Sequence, residues 1–345
     1  MGLERSTMKA VGLHKYLPIE DPESLLDLEI GKPVATGRDL LVNVKAIGVN
    51  PVDYKVRSPK DKIEGVPKIL GWDVAGIVEE VGKDVSLFKA GDEVYYSGTM
   101  TRQGGNSEFH LVDERLVGKK PGSLSFAEAA ALPLTTITAY EGLFTRLGIS
   151  RNAEQNSDRS ILIIGGAGGV GSIAIQLAKL AGLKVIATAS RPESARWIKE
   201  LGADNIVDHS KDIAEQLREF GTDEVDYIFN VNNTLQYWKV MSEVIAPQGK
   251  ICMIVEAAGD LNFNLFKNKS VTISWELMFT RSTYQTTDMI EQHNLLNEVS
   301  GLVDSGKIKT TLGDTLSPIN AENLRIAHAR LESGSAIGKI VLKNF

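Results

Sequence analysis

Along the first 120 residues the apolar positions fall into short runs broken by turn residues, a pattern that predicts strands rather than helices. MKAVGL (8–13), LLDLEI (25–30), LLVNVKAIGV (40–49), DVAGIVEEVG (73–82), DEVYYSG (92–98) and SEFHLV (107–112) describe a compact β-rich domain. Helical spacing begins at SFAEAAALP, where Ser125 is a suitable N-cap with Glu128 three residues on, and continues through LTTITAYEGLFTRLG to Gly148. After the polar stretch SRNAEQNSDRS (150–160) the pattern becomes a strict alternation. Strands ILII, KVIATA, NIVD, VDYIFN and KICMIV are separated by helical segments, with glycines at helix ends (Gly182, Gly202, Gly221). That alternation predicts an α/β fold with a doubly wound parallel sheet. A strand VTISW (271–275), helices near 287–304 and 321–332, and a last strand GKIVL (338–342) that can return to the first domain complete the chain.

One run ends abruptly. LLVNVKAIGV stops at Asn50-Pro51, and Asp53, Tyr54 and Lys55 follow at once. Proline fixes its own φ and removes a ladder donor, so the pair reads first as a strand terminator and a turn.

The strongest chemical signal is ILIIGGAGGVGS, a buried strand followed by Gly166-x-Gly168-x-x-Gly171, with Gly169 and Val170 inside the motif, and then an amphipathic helix. Such glycines let the chain turn tightly, let backbone N–H groups approach a pyrophosphate, and let helix pack closely on strand. The dinucleotide is read from what the next strand lacks. NAD binders carry an acid at its end for the ribose 2′-hydroxyl. Here the strand ends Ala189-Ser190-Arg191, with no acid before Glu193. Ser190 and Arg191 suit a 2′-phosphate, which favours NADPH; an exposed arginine ahead of a helix beginning at Pro192 is the bland alternative.

Composition narrows the partners. At 345 residues, 43% hydrophobic and 24% charged, the chain suits two soluble domains. A net charge of -6 with no basic cluster argues against nucleic acid and anionic membranes. No apolar stretch reaches the length of a membrane span and no signal pattern opens the chain, so the expectation is a cytoplasmic protein. Cys252 sits in the apolar run KICMIV and reads as core, and the five histidines show no metal-ligand spacing.

Taken together, the β-rich start, GGAGGVGS, ATASR, the GKIVL tail, NPVDYK and LGWDVAGIVEEVG resemble the medium-chain dehydrogenase/reductase superfamily across essentially the whole chain. Within it the sequence is similar to bacterial zinc-type alcohol dehydrogenase-like proteins and to the quinone oxidoreductase and enone reductase branch. The resemblance implies a GroES-like catalytic domain (1–133), a Rossmann domain (134–285) and a C-terminal return to the catalytic domain (286–345), with catalysis in the cleft separating the two domains. It also implies a homodimer, for which VTISWELMF is the natural pairing edge.

Where zinc relatives place two cysteines and a histidine, this chain has Asn50, Trp72 and Leu134, and the cysteine lobe of the structural zinc has no counterpart. An amide, an indole and an isobutyl group cannot hold Zn²⁺, so no metal is expected. Without a Lewis acid, a conjugated acceptor is the easier substrate, because the arriving charge spreads to an oxygen that a hydrogen-bond donor can meet. The expected substrate is a quinone or an α,β-unsaturated carbonyl. The resemblance puts Lys55 and Asn50 beside the nicotinamide. Lys55 would donate to the enolate oxygen or hold the ribose, and Asn50 would orient substrate or cofactor; a solvated lysine and a turn residue are the plain alternatives. With less force it extends to Thr138 near the nicotinamide, His209 near the 2′-phosphate, and Lys339 toward the cofactor. Asn230, Val231, Ile254 and Val255 stand at strand C-termini, where ligands of such sheets bind. Two other readings stay open: a zinc-dependent alcohol dehydrogenase, and an NADPH-binding sensor or structural protein without turnover.

Overall fold

A computed structural model describes residues 6–345. They divide into two compact units, one made of residues up to Leu134 with Phe279–Phe345 and the other of Thr135–Met278.

The first unit opens with β1 (Thr7–Tyr16), β2 (Leu26–Gly31), β3 (Asp39–Val49), α1 (Pro51–Arg57), β4 (Lys60–Ile69), β5 (Asp73–Val81), β6 (Glu93–Ser97), β7 (Phe109–Asp113), β8 (Val117–Lys119) and α2 (Phe126–Ala130). β1 pairs antiparallel with both β2 and β4. β3 organises the larger sheet: one edge pairs with β5 from Leu40 to Gly48, and the other takes β7 over Asp39–Asn43. Its near-continuous apolar run is explained by burial on both faces, with Leu40, Leu41, Val42, Val44, Ala46, Ile47 and Val49 all inside. Gly48 is required where it stands, because a Cβ there would lie 2.4 Å from the Ala130 carbonyl oxygen of α2 and 3.0 Å from the Asp73 Cβ.

Two elements depart from the sequence reading. The turn expected at Asn50-Pro51 is the start of α1, a seven-residue helix with Asn50 as N-cap and Pro51 at its first position. Proline is well suited there, since the N–H it lacks would have no intrahelical partner. β4 carried no strand signal because KDKIEGVPKI is largely exposed and shows no apolar alternation.

The second unit contains α3 (Pro133–Tyr140), which enters it from the first, then β9 (Ser160–Ile164), α4 (Gly169–Leu180), β10 (Lys184–Thr188), α5 (Pro192–Glu200), β11 (Asn205–Val207), α6 (Ile213–Glu219), β12 (Val225–Asn230), α7 (Thr234–Val244), β13 (Ile245–Met253) and β14 (Thr272–Trp275). The six strands lie in the order β11-β10-β9-β12-β13-β14, and every neighbouring pair is parallel. Chain direction across the sheet therefore reverses between β9 and β12, which opens a crevice at the C-terminal ends of those two strands. Leu162, Ile164, Ile228, Ile251 and Met253 pack with Trp238 and Met241 of α7 into one core that holds the strands in register. Cys252 is fully buried in this sheet, and desolvation pushes its thiol up to about 12.

The chain then returns to the first unit through α8 (Thr280–Tyr284), α9 (Glu291–Asp304), β15 (Leu312–Leu316), α10 (Ala321–Glu332) and β16 (Lys339–Lys343). β16 pairs antiparallel with the end of β3, Ile340 opposite Val49 and Lys343 opposite Ala46, and carries β15 on its far edge. Among the described residues no helix is long and apolar enough to cross a membrane.

Candidate active site

In the second unit the glycine motif forms the turn between β9 and α4. Gly165 has φ of 93°, a value that favours glycine, and the turn is tied to β10 by Gly165 N–H on Thr188 Oγ1 at 3.0 Å and Gly166 N–H on the Thr188 carbonyl at 3.2 Å. Gly171 is the close-packing glycine: a Cβ there would stand 2.3 Å from the Gly165 carbonyl oxygen and 2.7 Å from the Gly166 Cα. Gly168 is exposed and is the N-cap of α4, with no atom nearer to its Cβ position than 3.8 Å. Gly169 and Val170 follow in the first turn of α4, partly exposed. Backbone N–H groups in an open first turn of a 12-residue helix fit a pyrophosphate.

The predicted positions that follow β10, β11, β12 and β13 gather at the same ends of the strands. Ser190 and Arg191 are exposed just past β10, with Arg191 at the N-cap of α5. His209 follows β11, and its Nδ1 is buried without a hydrogen-bond partner. Asn230 ends β12 with no exposed surface; its Oδ1 accepts from Asn232 N–H at 3.1 Å, while its Nδ2 is buried and unpartnered. Val231 N–H donates to the Ile164 carbonyl at 3.0 Å, Ile254 N–H to the Asn230 carbonyl at 3.3 Å, and the Val255 carbonyl accepts from Thr234 Oγ1. Thr138 is buried in α3. Buried polar atoms are rarely left unpaired, so orphans of Asn230 and His209 at the ligand-binding end of the sheet fit a polar cofactor.

A second polar cluster lies in the first unit, where β3 gives way to α1. Asn50, Asp53, Asp73 and Lys339 are all buried. Asp53, at the third position of α1, accepts from Asn50 N–H at 2.7 Å, the reverse half of a capping box. Asn50 Nδ2 donates to Asp73 Oδ2 at 2.8 Å, and Asp73 Oδ1 accepts from Leu134 N–H at 2.6 Å. The Lys339 ammonium donates to the Val49 carbonyl at 3.0 Å, to Asp73 Oδ2 at 2.8 Å and to Asn50 Oδ1. Lys339, expected from the resemblance to reach the cofactor, thus has three partners inside this unit, enough for its three N–H groups. Asn50 likewise has both amide heteroatoms bonded. Lys55 stands on α1 with its side chain exposed. Burial pushes the Asp53 carboxyl up to about 7, against the opposing pull of Asn50 N–H and Lys339.

Asp73 is the residue that reading the sequence missed. An aspartate inside the apolar strand LGWDVAGIV demands a buried cation, and a lysine inside GKIVL is the matching anomaly; together those two signals could have paired them.

A model described as the alcohol dehydrogenase GroES-like domain matches residues 36–140, and one described as zinc-binding dehydrogenase matches residues 169–294. A zinc-type alcohol dehydrogenase-like protein of Staphylococcus epidermidis is 42% identical over 97% of this chain and 99% of its own. The chain belongs to the medium-chain dehydrogenase/reductase superfamily. It is an oxidoreductase of that superfamily, with its GroES-like and Rossmann units. A putative zinc-dependent alcohol dehydrogenase of Rhizobium etli has a crystal structure similar at a TM-score of 0.94, with 52% identity and 99% of each chain covered. An NADPH-dependent alkenal/one oxidoreductase of Arabidopsis thaliana is 32% identical over 92% of this chain and 75% of its own.

Zinc, which names part of this superfamily, does not fit the donor set here. The Asn50 amide is engaged by Asp73 and Lys339, the Trp72 indole donates to the Thr99 carbonyl at 3.2 Å, and the Leu134 side chain is a hydrocarbon whose backbone N–H donates to Asp73. Among the described residues no three His, Cys, Asp or Glu side chains stand together as a metal site. A buried ammonium bonded to Asn50 and Asp73 would also repel a divalent cation.

Proposed function

We propose that this superfamily member is a zinc-free, NADPH-dependent reductase of quinones or α,β-unsaturated carbonyls. The observation that carries the reading is the cluster at the β3–α1 junction, where Asn50, at a position the resemblance equates with a zinc ligand, is bonded by the buried Lys339 ammonium and by Asp73. With no Lewis acid to stabilise an alkoxide, the favoured acceptor is one whose negative charge is already delocalised. NADPH, when bound, supplies the hydride. Gly168, Gly169, Val170 and Gly171 would hold its pyrophosphate, Ser190, Arg191 and His209 its 2′-phosphate, and Thr138, Asn230, Val231, Ile254 and Val255 the rest. Arg191 supports NADPH over NADH because its guanidinium can form charge-assisted bonds to the phosphate, and the strand before it ends without the acid that NAD binders carry.

Lys55 is the residue that meets the charge developing on the substrate oxygen, as a hydrogen-bond donor from an exposed position on α1. The protein works as a cytoplasmic homodimer. Support for the dimer comes from the open edge of β14, beside which Trp275 is 46% and Leu277 57% exposed.

Lys55→Ala tests the catalytic assignment. In NADPH oxidation with an enone it should lower kcat by roughly 10²–10³-fold, the usual cost of an oxyanion donor, while NADPH affinity measured by fluorescence titration stays unchanged. Equal kcat and KM in the variant would remove Lys55 from the mechanism.

A further inference from the structure

The Lys339–Asp73 pair does more than the fold requires of it. β16 is already joined to β3 by the ladder that sets Ile340 opposite Val49, so the strand needs no ion pair to stay in place. Two buried charges also contribute little net stability, because desolvation offsets most of their attraction. What the pair supplies is direction. Lys339 bonds the last carbonyl of β3, at Val49, and the side-chain oxygen of Asn50, the N-cap of α1. Asp73 takes the other end of the same amide and, through its second oxygen, the Leu134 N–H. The Asn50 amide is thereby fixed with its oxygen toward Lys339 and its nitrogen toward Asp73. The next contact along the chain is Asp53 closing back on Asn50 N–H, which sets the first turn of α1.

We propose that Lys339 and Asp73 are positioning residues that act through Asn50 on α1, and so hold Lys55 in its working place. The inference rests on the reading of Lys55 as the group that meets the substrate. It assigns Asn50 to the support of the helix rather than to contact with substrate, since both heteroatoms of its amide are engaged. It assigns Lys339 to the same support.

The test compares Lys339→Met, Asn50→Ser and the double variant in the full-length protein, with NADPH and an enone. Serine keeps an N-cap but cannot bridge Lys339 and Asp73 as the amide does. Each single variant is expected to lower kcat about tenfold or more, with KM changed less than about threefold, and the double variant to fall no further than the worse single, because both act along one path. In the protein without cofactor, hydrogen exchange over residues 51–57 should quicken in all three variants while the β9–β12 amides keep their protection. Effects on kcat that multiply in the double variant, or a Lys339→Met enzyme with wild-type kcat and wild-type exchange in α1, would overturn the proposal. If Lys339→Met fails to fold, Asn50→Ser alone decides by exchange: unchanged protection of α1 overturns it. A failure of the underlying reading is separately visible, as a Lys55→Ala enzyme that turns over normally.

Discussion

At the scale of single residues, the cluster around Asn50 is balanced only while one of its acids holds a proton. Lys339 supplies one positive charge, Asp73 is its ion-pair partner at 2.8 Å, and Asp53 is the second carboxyl. Burial raises Asp53 from an ordinary value of 3.8 to about 7, so between those values the folded protein keeps a proton that the unfolded chain has lost. Its contribution to stability is therefore full below about pH 4 and is lost as pH rises through about 7. Glu276, whose carboxyl is raised by burial and by the neighbouring Glu141, acts in the same direction. Asp53→Asn keeps an acceptor for Asn50 N–H and removes one titration. Thermal or urea unfolding from pH 4 to pH 8 should show a flatter profile for the variant, with the difference from wild type growing by up to about 4 kcal/mol across the window. Parallel profiles would show that Asp53 does not change its protonation there. The Asp73–Lys339 contact itself joins positions 266 residues apart, and no local pattern announces which buried lysine meets which buried aspartate.

At the scale of elements, the glycine turn was legible because strand, turn and helix are contiguous and each glycine has a local cause. Gly171 is the sharpest case. A methyl group there would collide with the backbone of Gly165 and Gly166 at the end of β9, so Gly171→Ala must push α4 away from β9. The expected result is a loss of about 1–3 kcal/mol in urea unfolding, as for other overpacked sites, together with weakened NADPH binding by titration. Unchanged stability would mean that the turn relaxes without effect. α1 was not legible as a helix, because seven residues opened by Asn-Pro are too few for a periodic signal and read equally well as a turn. What holds α1 is tertiary. Besides the Asn50 cluster at its start, Arg57 near its end is buried and donates to the Leu17 carbonyl, to His328 Nδ1 at 3.3 Å and to Glu332 of α10. β4 escaped notice for the opposite reason, its exposure having erased the alternation by which strands are found.

At the scale of the whole molecule, strict strand–helix alternation gave the parallel sheet, and the run of short strands gave the β-rich unit. The chain's return to that unit depended on one short strand, GKIVL, whose partner at the end of β3 lies almost the length of the protein away. The superfamily follows from this architecture and from the relatives, while the chemistry rests on few side chains. The central claim is that NADPH reduces a conjugated acceptor here without a metal. Its most direct test is NADPH oxidation by protein treated with a chelator and assayed for metal, offered an α,β-unsaturated ketone and, separately, its saturated counterpart. Metal-free protein should turn over the unsaturated ketone undiminished and the saturated one not at all. Turnover that vanishes with the chelator and returns with stoichiometric zinc would contradict the claim, as would NADPH consumption at background with every enone and quinone offered.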